Sequence, residues 1–361
     1  MNSGLPNNIS QSTIEKTDSA NTAGRLRKKA NLAICVIGLG VQNTQNHIPA
    51  LSNSDNAELC AVVDSDPDKV FNWAQELNVP GFLSVEQMLL QISPDAAIVA
   101  VPHDQYLPII ANLAAKGISV LKEKPLARSL CEANDIIRLV SSSNIKLMVA
   151  VQRRFRTTSL MFQEYVKLIG TPRFIEVRYT VNVGTRSEGW RAIKNTSGGG
   201  CLIDMGYHMI DLLVWYFGLP DAVAASFSCK AFPDILYEAE DMAFIVANYK
   251  ASGLACNIVI SDCLAPKSES LLLMGTEGSL ALQRDSLILF DRNMVESQRF
   301  DTQLDNLIAD QLEHFIQVVQ GKVQNHCAPE NHLQHVAFID ACYLSALRQK
   351  FIDPHDLINA M

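Results

Sequence analysis

From Asn31 onward, short apolar runs alternate with longer stretches whose apolar residues recur at helical spacing. The runs are Leu32 to Ile37, Leu59 to Val63, Ala96 to Val101, Ile118 to Leu121 and Leu147 to Val151, each bounded by polar residues, Gly or Pro. Between them, Pro67 to Leu77, Tyr106 to Ala115 and Cys131 to Ser141 are long enough for helices. A strand buried on both faces reads as an unbroken apolar run, and strands alternating with helices imply a parallel sheet with helices on both sides. The pattern therefore predicts an α/β fold with a Rossmann-type, doubly wound parallel sheet over residues 31–152.

Beyond about residue 155 the texture changes. Phe174 to Val183, Val223 to Phe227, Met242 to Tyr249, Leu254 to Ile260, Ser270 to Met274 and Ser286 to Phe290 follow one another, several with only a turn between them. Gly253 and the Gly275 to Gly278 segment mark such turns. This predicts a C-terminal α+β domain over residues 153–350 with a large, mainly antiparallel open sheet. One helix is expected from Cys201 to Phe217, and amphipathic helices at Ile308 to Gln320 and Glu330 to Leu347. Residues 1–30 are rich in Ser, Asn and Thr and end in Arg25, Arg27, Lys28 and Lys29, and read as a flexible tail. Residues 351–361 read as a C-terminal tail.

Composition narrows the function classes. A chain of 361 residues suggests two domains, and 48% hydrophobic against 19% charged residues is ordinary for a folded soluble protein. Lys and Arg number 30 against 38 Asp and Glu, a net charge of −8 that gives no footprint for nucleic acid or an anionic membrane. No apolar stretch is long enough to span a bilayer, and the N-terminus lacks the apolar core of a signal peptide. Nine scattered cysteines with no C-x-x-C pair fit neither a disulfide framework nor a zinc ribbon. Cys35 and Cys60 fall in strand-like runs, where a thiol acts as a small hydrophobe. The expected compartment is reducing and cytoplasmic.

Candidate chemistry sits at the ends of the predicted strands. The first run leads into Gly38-Leu39-Gly40-Val41-Gln42-Asn43 and then a helical segment. In a dinucleotide fold, such glycines permit a tight turn and close approach of the pyrophosphate to a helix N-terminus. The next strand ends at Asp64, near where a carboxylate binds the adenosine ribose. Asp64 repels a 2′-phosphate and neither Ser65 nor Asp66 supplies an Arg, so NAD is favoured over NADP. Lys124, in Lys122-Glu123-Lys124-Pro125-Leu126, falls beyond a strand's carboxyl end, where an ammonium stabilises an oxygen gaining negative charge. A cis Lys124-Pro125 bond is expected there. In the Gly198 to Asp211 run, Asp204 and His208 lie four apart on one helix face. An imidazole there can take a hydroxyl proton while the carboxylate orients a neighbouring hydroxyl, and the preceding glycines allow close approach of a ligand. A metal held by these two would need a third ligand, with Asp211 the nearby candidate. His326, Cys327, His332 and His335 match no zinc spacing, and the last two read as exposed helix positions. No metal is expected.

Taken together, from about Leu32 to Leu347, the chain resembles the glucose-fructose oxidoreductase and inositol dehydrogenase family, Gfo/Idh/MocA. The motifs are Gly38-Leu39-Gly40 with His47 and Pro49, Asp64, Ala100-Val101-Pro102, Glu123-Lys124-Pro125, Gln152-Arg153-Arg154-Phe155, Trp190-Arg191, the Gly198 to Asp211 run, Gly275-Thr276-Glu277-Gly278 and the Ala341 to Ala346 helix. The resemblance implies an NAD(P)-dependent dehydrogenase or reductase with Lys124, Asp204 and His208 as its catalytic set. It implies a cofactor site at Gly38, Leu39, Gly40, Val41, Gln42, Asp64, Val101, Pro102, Glu123 and Lys124, with Arg154, Trp190 and Arg191 lining the nicotinamide and substrate pocket. It further implies a carbohydrate or cyclitol substrate and a homodimer or homotetramer built through the open sheet. Asn43 stands in place of the third glycine, and Tyr106 where the family's Pro-x-x-x-His segment has His. The alternatives are a reductase of a non-sugar ring, such as a cyclic diol or a tetrapyrrole, and a cofactor-binding regulatory protein without turnover.

Overall fold

The computed structural model describes residues 31–184, 189–229, 231, 237–302 and 306–361. The N-terminal segment 1–30, with its basic cluster, lies outside them. Strands β1 (Leu32–Ile37), β2 (Ala57–Val63), β3 (Gly81–Phe82), β4 (Ala96–Val99), β5 (Ser119–Glu123) and β6 (Leu147–Ala150) form a parallel sheet in the order β3-β2-β1-β4-β5-β6. Ile34, Val36, Val62, Ile98, Leu121 and Val149 are fully enclosed, as helices over both faces require. The winding reverses between β1 and β4, so the loops after them part and leave a crevice at the carboxyl ends of the strands.

The second sheet runs β14-β13-β12-β11-β7-β10-β9-β8, built from β7 (Pro172–Asn182), β8 (Ala222–Ser228), β9 (Met242–Tyr249), β10 (Leu254–Ser261), β11 (Cys263–Gly275), β12 (Gly278–Gln283), β13 (Ser286–Asp291) and β14 (Glu296–Asp301). Its neighbours are antiparallel except β7 and β10, which run parallel, the connection between them carrying the helices Lys194–Ser197 and Tyr207–Phe217 and two strands. Strand β9 shows the one-sided pattern: Ala243, Ile245 and Ala247 are buried, Phe244 and Val246 exposed. The helix Pro329–Arg348 packs both on β8 and on the helix Leu130–Ser142 of the first lobe, joining the two.

Two expectations about this lobe change. The segment from Cys201 is not one regular α-helix: Leu202–Gly206 forms a π turn and the α-helix runs Tyr207–Phe217. Residues 351–361 are not a bare tail, since Ile352 bridges Val223 and Pro354–Asn359 forms a helix. Among the described residues no helix is long and apolar enough to cross a membrane.

Candidate active site

A cavity of about 780 Å³ opens at the carboxyl ends of the parallel strands and reaches the second lobe. Gly38 follows β1 with φ +88°, and a side chain there would overlap the Ala100 carbonyl, so only glycine fits. At Gly40, by contrast, a Cβ would meet nothing within 4 Å, which leaves an open cradle beside the backbone. Asn43 compensates for the missing third glycine: its Nδ2 donates to the carbonyls of Ile37 (3.0 Å) and Gly38 (2.6 Å) and ties down the turn. Asp64 accepts from the Leu39 and Asp66 amides at 2.6 and 2.9 Å, fixing its carboxylate at the cavity edge. Leu39 itself is buried in the core and contributes only its amide to this arrangement.

Strand β5 delivers the lysine. Glu123 is buried and accepts from Gln42 Nε2 and pairs with His47 Nε2, both at 2.9 Å. Burial pushes its carboxyl upward, but His47, Lys124 and Gln42 together outweigh that and hold it below the ordinary range. The Lys124-Pro125 bond is cis, as the sequence suggested. The fully buried Lys122 donates to the carbonyls of Glu123 (2.9 Å) and Pro125, and its ammonium lies 3.3 Å from the centre of the Tyr106 ring. The peptide around Lys124 is thus held on both sides, while the Lys124 side chain extends across the cavity. Its Nζ lies 2.7 Å from Asp204 Oδ1 and 2.8 Å from the Asp204 carbonyl.

Asp204 lies in the π turn, whose entry is held by Glu240. This carboxylate accepts from the Gly200 and Leu202 amides at 2.8 and 3.0 Å and from the Tyr343 hydroxyl at 2.9 Å. The glycines before Asp204 serve this packing rather than a ligand: a side chain at Gly200 would overlap the Glu240 backbone, and one at Gly199 the Tyr343 hydroxyl. The other Asp204 oxygen, Oδ2, accepts from Arg191 Nε at 2.9 Å, and Arg191 lies over the Trp190 ring. One carboxylate therefore faces two cations at the rim of the cavity. His208, one turn further on, does not line the cavity. It is buried, and its Nδ1 has no hydrogen-bond partner. Burial, with the charges of Arg153 and Lys124, pushes it well below the ordinary histidine range, so it is neutral at neutral pH.

The β4 loop adds a histidine that the sequence reading passed over. His103 is 3% exposed, lines the cavity and donates from Nδ1 to the Ser197 carbonyl at 2.6 Å. Its ring meets Trp190 edge-on at 4.5 Å and layers over Tyr106 at 6.2 Å. No motif carried it. The signal available was a histidine just beyond the end of a parallel strand, where ligands bind.

Residues 32–151 match the model of the oxidoreductase family's NAD-binding Rossmann fold, and residues 166–281 that of the GFO/IDH/MocA C-terminal domain. The chain belongs to the Gfo/Idh/MocA family of oxidoreductases. Among its relatives, Oxidoreductase P35 of Formosa agariphila is 30% identical over 54% of this chain and 63% of its own length. The trans-1,2-dihydrobenzene-1,2-diol dehydrogenase of Xenopus tropicalis is 25% identical over 63% of this chain and 68% of its own. The chain thus matches somewhat under two thirds of the first of these relatives. A similar solved structure is the WlbA dehydrogenase of Bordetella pertussis in complex with NADH and UDP-GlcNAcA, at 20% identity and TM-score 0.77, covering 90% of this chain and 99% of that one.

Of the positions the Gfo/Idh/MocA resemblance pointed to, Gly38, Gly40, Val41, Gln42, Asp64, Val101, Pro102, Glu123, Lys124, Trp190, Arg191 and Asp204 all line this cavity. Arg154 does not. Its guanidinium grips Asp211 at 2.7 to 3.1 Å and donates to the His326 carbonyl, beside a second cavity of about 750 Å³. His332 and His335, expected on the surface, are buried around that same Asp211. Asp211, His332 and His335 bring potential ligand atoms within 4.8 Å of one another, but the Arg154 guanidinium already supplies the cation there.

Proposed function

We propose that this oxidoreductase transfers a hydride between NAD and a ring carbinol, or the matching ketone, of a sugar, sugar nucleotide or cyclitol. The observation that carries the reading is the 2.7 Å contact between Lys124 Nζ and Asp204 Oδ1 across the cavity headed by the Gly38 to Asn43 turn. The residues fit a dinucleotide. The open space at Gly40 admits a pyrophosphate, and the anchored Asp64 carboxylate suits ribose hydroxyls. Lys69 also reaches the cavity, but Asp66 lies 3.7 Å from its ammonium, which supports NAD over NADP. The nicotinamide, when bound, supplies the hydride chemistry.

The chain's own groups do the rest. Lys124 holds the substrate oxygen and offsets its developing charge. His208 is neutral and stands one turn beyond Asp204; its Nδ1 is sealed, so the hydroxyl proton in the oxidative direction is assigned to its Nε2. Asp204 orients a neighbouring hydroxyl, and Arg191 holds that carboxylate from the rim. The UDP-GlcNAcA in the Bordetella protein supports a sugar-type substrate, and the diol dehydrogenase name supports the runner-up, a non-sugar cyclic diol. The presence of all three catalytic side chains argues against a regulatory protein without turnover. The exposed face of the second sheet, with Phe244 and Val246, supports a homodimer or homotetramer. The nine cysteines, none joined in a disulfide among the described residues, fit a reducing compartment such as the cytoplasm.

A screen of sugars, sugar nucleotides, inositols and cyclic diols against NAD and NADP, read by absorbance of the reduced nicotinamide, tests this reading. It fails if no carbinol or ketone is turned over with either coenzyme.

A further inference from the structure

The Nδ1 of His103 carries its proton, because a backbone carbonyl 2.6 Å away can only accept. Nε2 then bears the lone pair. Among the described residues it makes no hydrogen bond, and it is absent from the polar atoms sealed away from solvent. Since the ring lines the cavity, that lone pair is available to a ligand there. Burial is the main cause that pushes this histidine down to about 3, with Lys124 and Lys122 adding to it, so the ring stays uncharged across the working pH range. Trp190 and Tyr106 clamp its two sides, and the Ser197 carbonyl fixes its tautomer.

Both His103 and Tyr106 line the cavity, and what separates them is what covers each ring. The turn His103–Gln105 puts residues 103 and 106 in layers. Tyr106 is the inner layer, 2% exposed and covered by the Lys122 ammonium. In this chain the cavity-facing imidazole of the loop therefore comes from position 103.

We propose that His103 is a specificity-determining residue: its Nε2 accepts a hydrogen bond from a substrate hydroxyl beyond the pair engaged by Lys124, His208 and Asp204. This rests on the hydride-transfer reading and narrows it. The substrate class becomes a ring with at least three hydroxyls, such as a pyranose or cyclitol, rather than a simple cyclic diol. A site with a buried acceptor rejects a ligand that leaves it unpaired.

The test compares wild type with His103→Phe and His103→Asn. His103→Phe keeps the ring contacts and removes the nitrogen. Each protein is assayed with myo-inositol or the best sugar of the screen, and with 1,2-cyclohexanediol, while NADH affinity is followed by fluorescence and folding by thermal melting. Wild type should favour the polyol over the diol by about 10-fold or more in kcat/KM, roughly the loss of one hydrogen bond to a neutral acceptor. His103→Phe should lose that preference through a raised KM for the polyol alone, with NADH affinity within about 2-fold of wild type. His103→Asn, which restores a neutral acceptor, should recover part of it. An equal loss on both substrates, or a loss confined to NADH binding, would overturn the specificity role and leave hydride transfer standing. Absence of turnover by wild type on every substrate would overturn the functional reading and this role with it.

Discussion

Two aspartates about two turns apart on one segment, Asp204 and Asp211, each face a cation from another part of the chain, yet they do different work. Asp204 shares its oxygens between Lys124 and Arg191 at the rim of the cavity, and the Arg191 side chain is 51% exposed. Asp211 is 1% exposed, held in a fork by Arg154 and surrounded by His332 and His335. Burial alone would raise the Asp211 carboxyl, but Arg154 and His335 hold it far below the usual carboxylate range. A pair that is open to a ligand can exchange partners during a reaction. A sealed pair cannot, and it serves instead to fix the helix that carries His208. Residue type was alike at both positions; what separates them is place along the segment, Asp204 at its end beside the crevice and Asp211 further on, enclosed by Arg154, His332 and His335.

The comparison breaks most sharply at the two cations. Lys124→Ala should lower kcat by about 10³-fold, the scale of losing a charge that stabilises a developing oxyanion, with NADH affinity near wild type. Steady-state kinetics and fluorescence titration check this together, and turnover comparable to wild type would remove Lys124 from the chemistry. Asp211→Ala should instead act on stability. It leaves the Arg154 guanidinium buried without its partner and should cost about 3–5 kcal/mol in urea unfolding, the range for breaking a buried pair. Asp204→Asn reverses the pattern: kcat falls by about 10²-fold, while stability changes by no more than about 1 kcal/mol.

An effect that is smaller per group concerns acid. His103, His208 and His332 all stand below their ordinary value of 6.5 because burial penalises their charged forms. Below pH 6.5 the unfolded chain takes up these protons and the folded chain does not, so stability falls as pH drops. Each group contributes up to about 1.4 kcal/mol per pH unit until its own folded pKa is reached. Urea midpoints should therefore decline between pH 7 and pH 5, before the ordinary carboxylate range. A flat profile there would show that these rings are not held neutral. The smallest effect is expected from Tyr207→Phe, which removes the hydroxyl bonded to the Leu126 amide (3.4 Å) and to His332 (3.0 Å), at a cost of about 1 kcal/mol.

Much of this architecture was legible in the chain. Strands β1, β2, β4, β5 and β6 are apolar runs because both faces of that sheet are covered, and the helix Pro67–Leu77 coincides with the expected stretch, its start fixed by the Asp66 cap and Pro67. Strand β3 escaped because two residues make no pattern, and β14 because Glu296–Asp301 is a polar edge strand. The Gly38, Asp64 and Lys124 positions followed from where ligands meet a parallel sheet, and Asp204 from its helical spacing to His208 after a run of glycines. The misplaced residues share one cause. His332 and His335 looked exposed because spacing along a helix reports one buried face, whereas Pro329–Arg348 is covered by both lobes. Arg154 was placed at the nicotinamide by the family resemblance, and no local rule in the sequence reports that its guanidinium meets Asp211. His103 was missed because its role depends on a carbonyl 94 positions away.

The central claim is that the crevice holding Lys124 and Asp204 removes hydrogen from a carbinol carbon and delivers it to the coenzyme. Incubation with NAD and a polyol deuterated at its ring carbons, followed by mass analysis of the reduced nicotinamide, tests it directly. Wild type should place one deuterium on each reduced coenzyme, and a Lys124→Ala variant that still binds NADH none above background. Label transferred equally by both proteins, or reduced coenzyme without label, would contradict it.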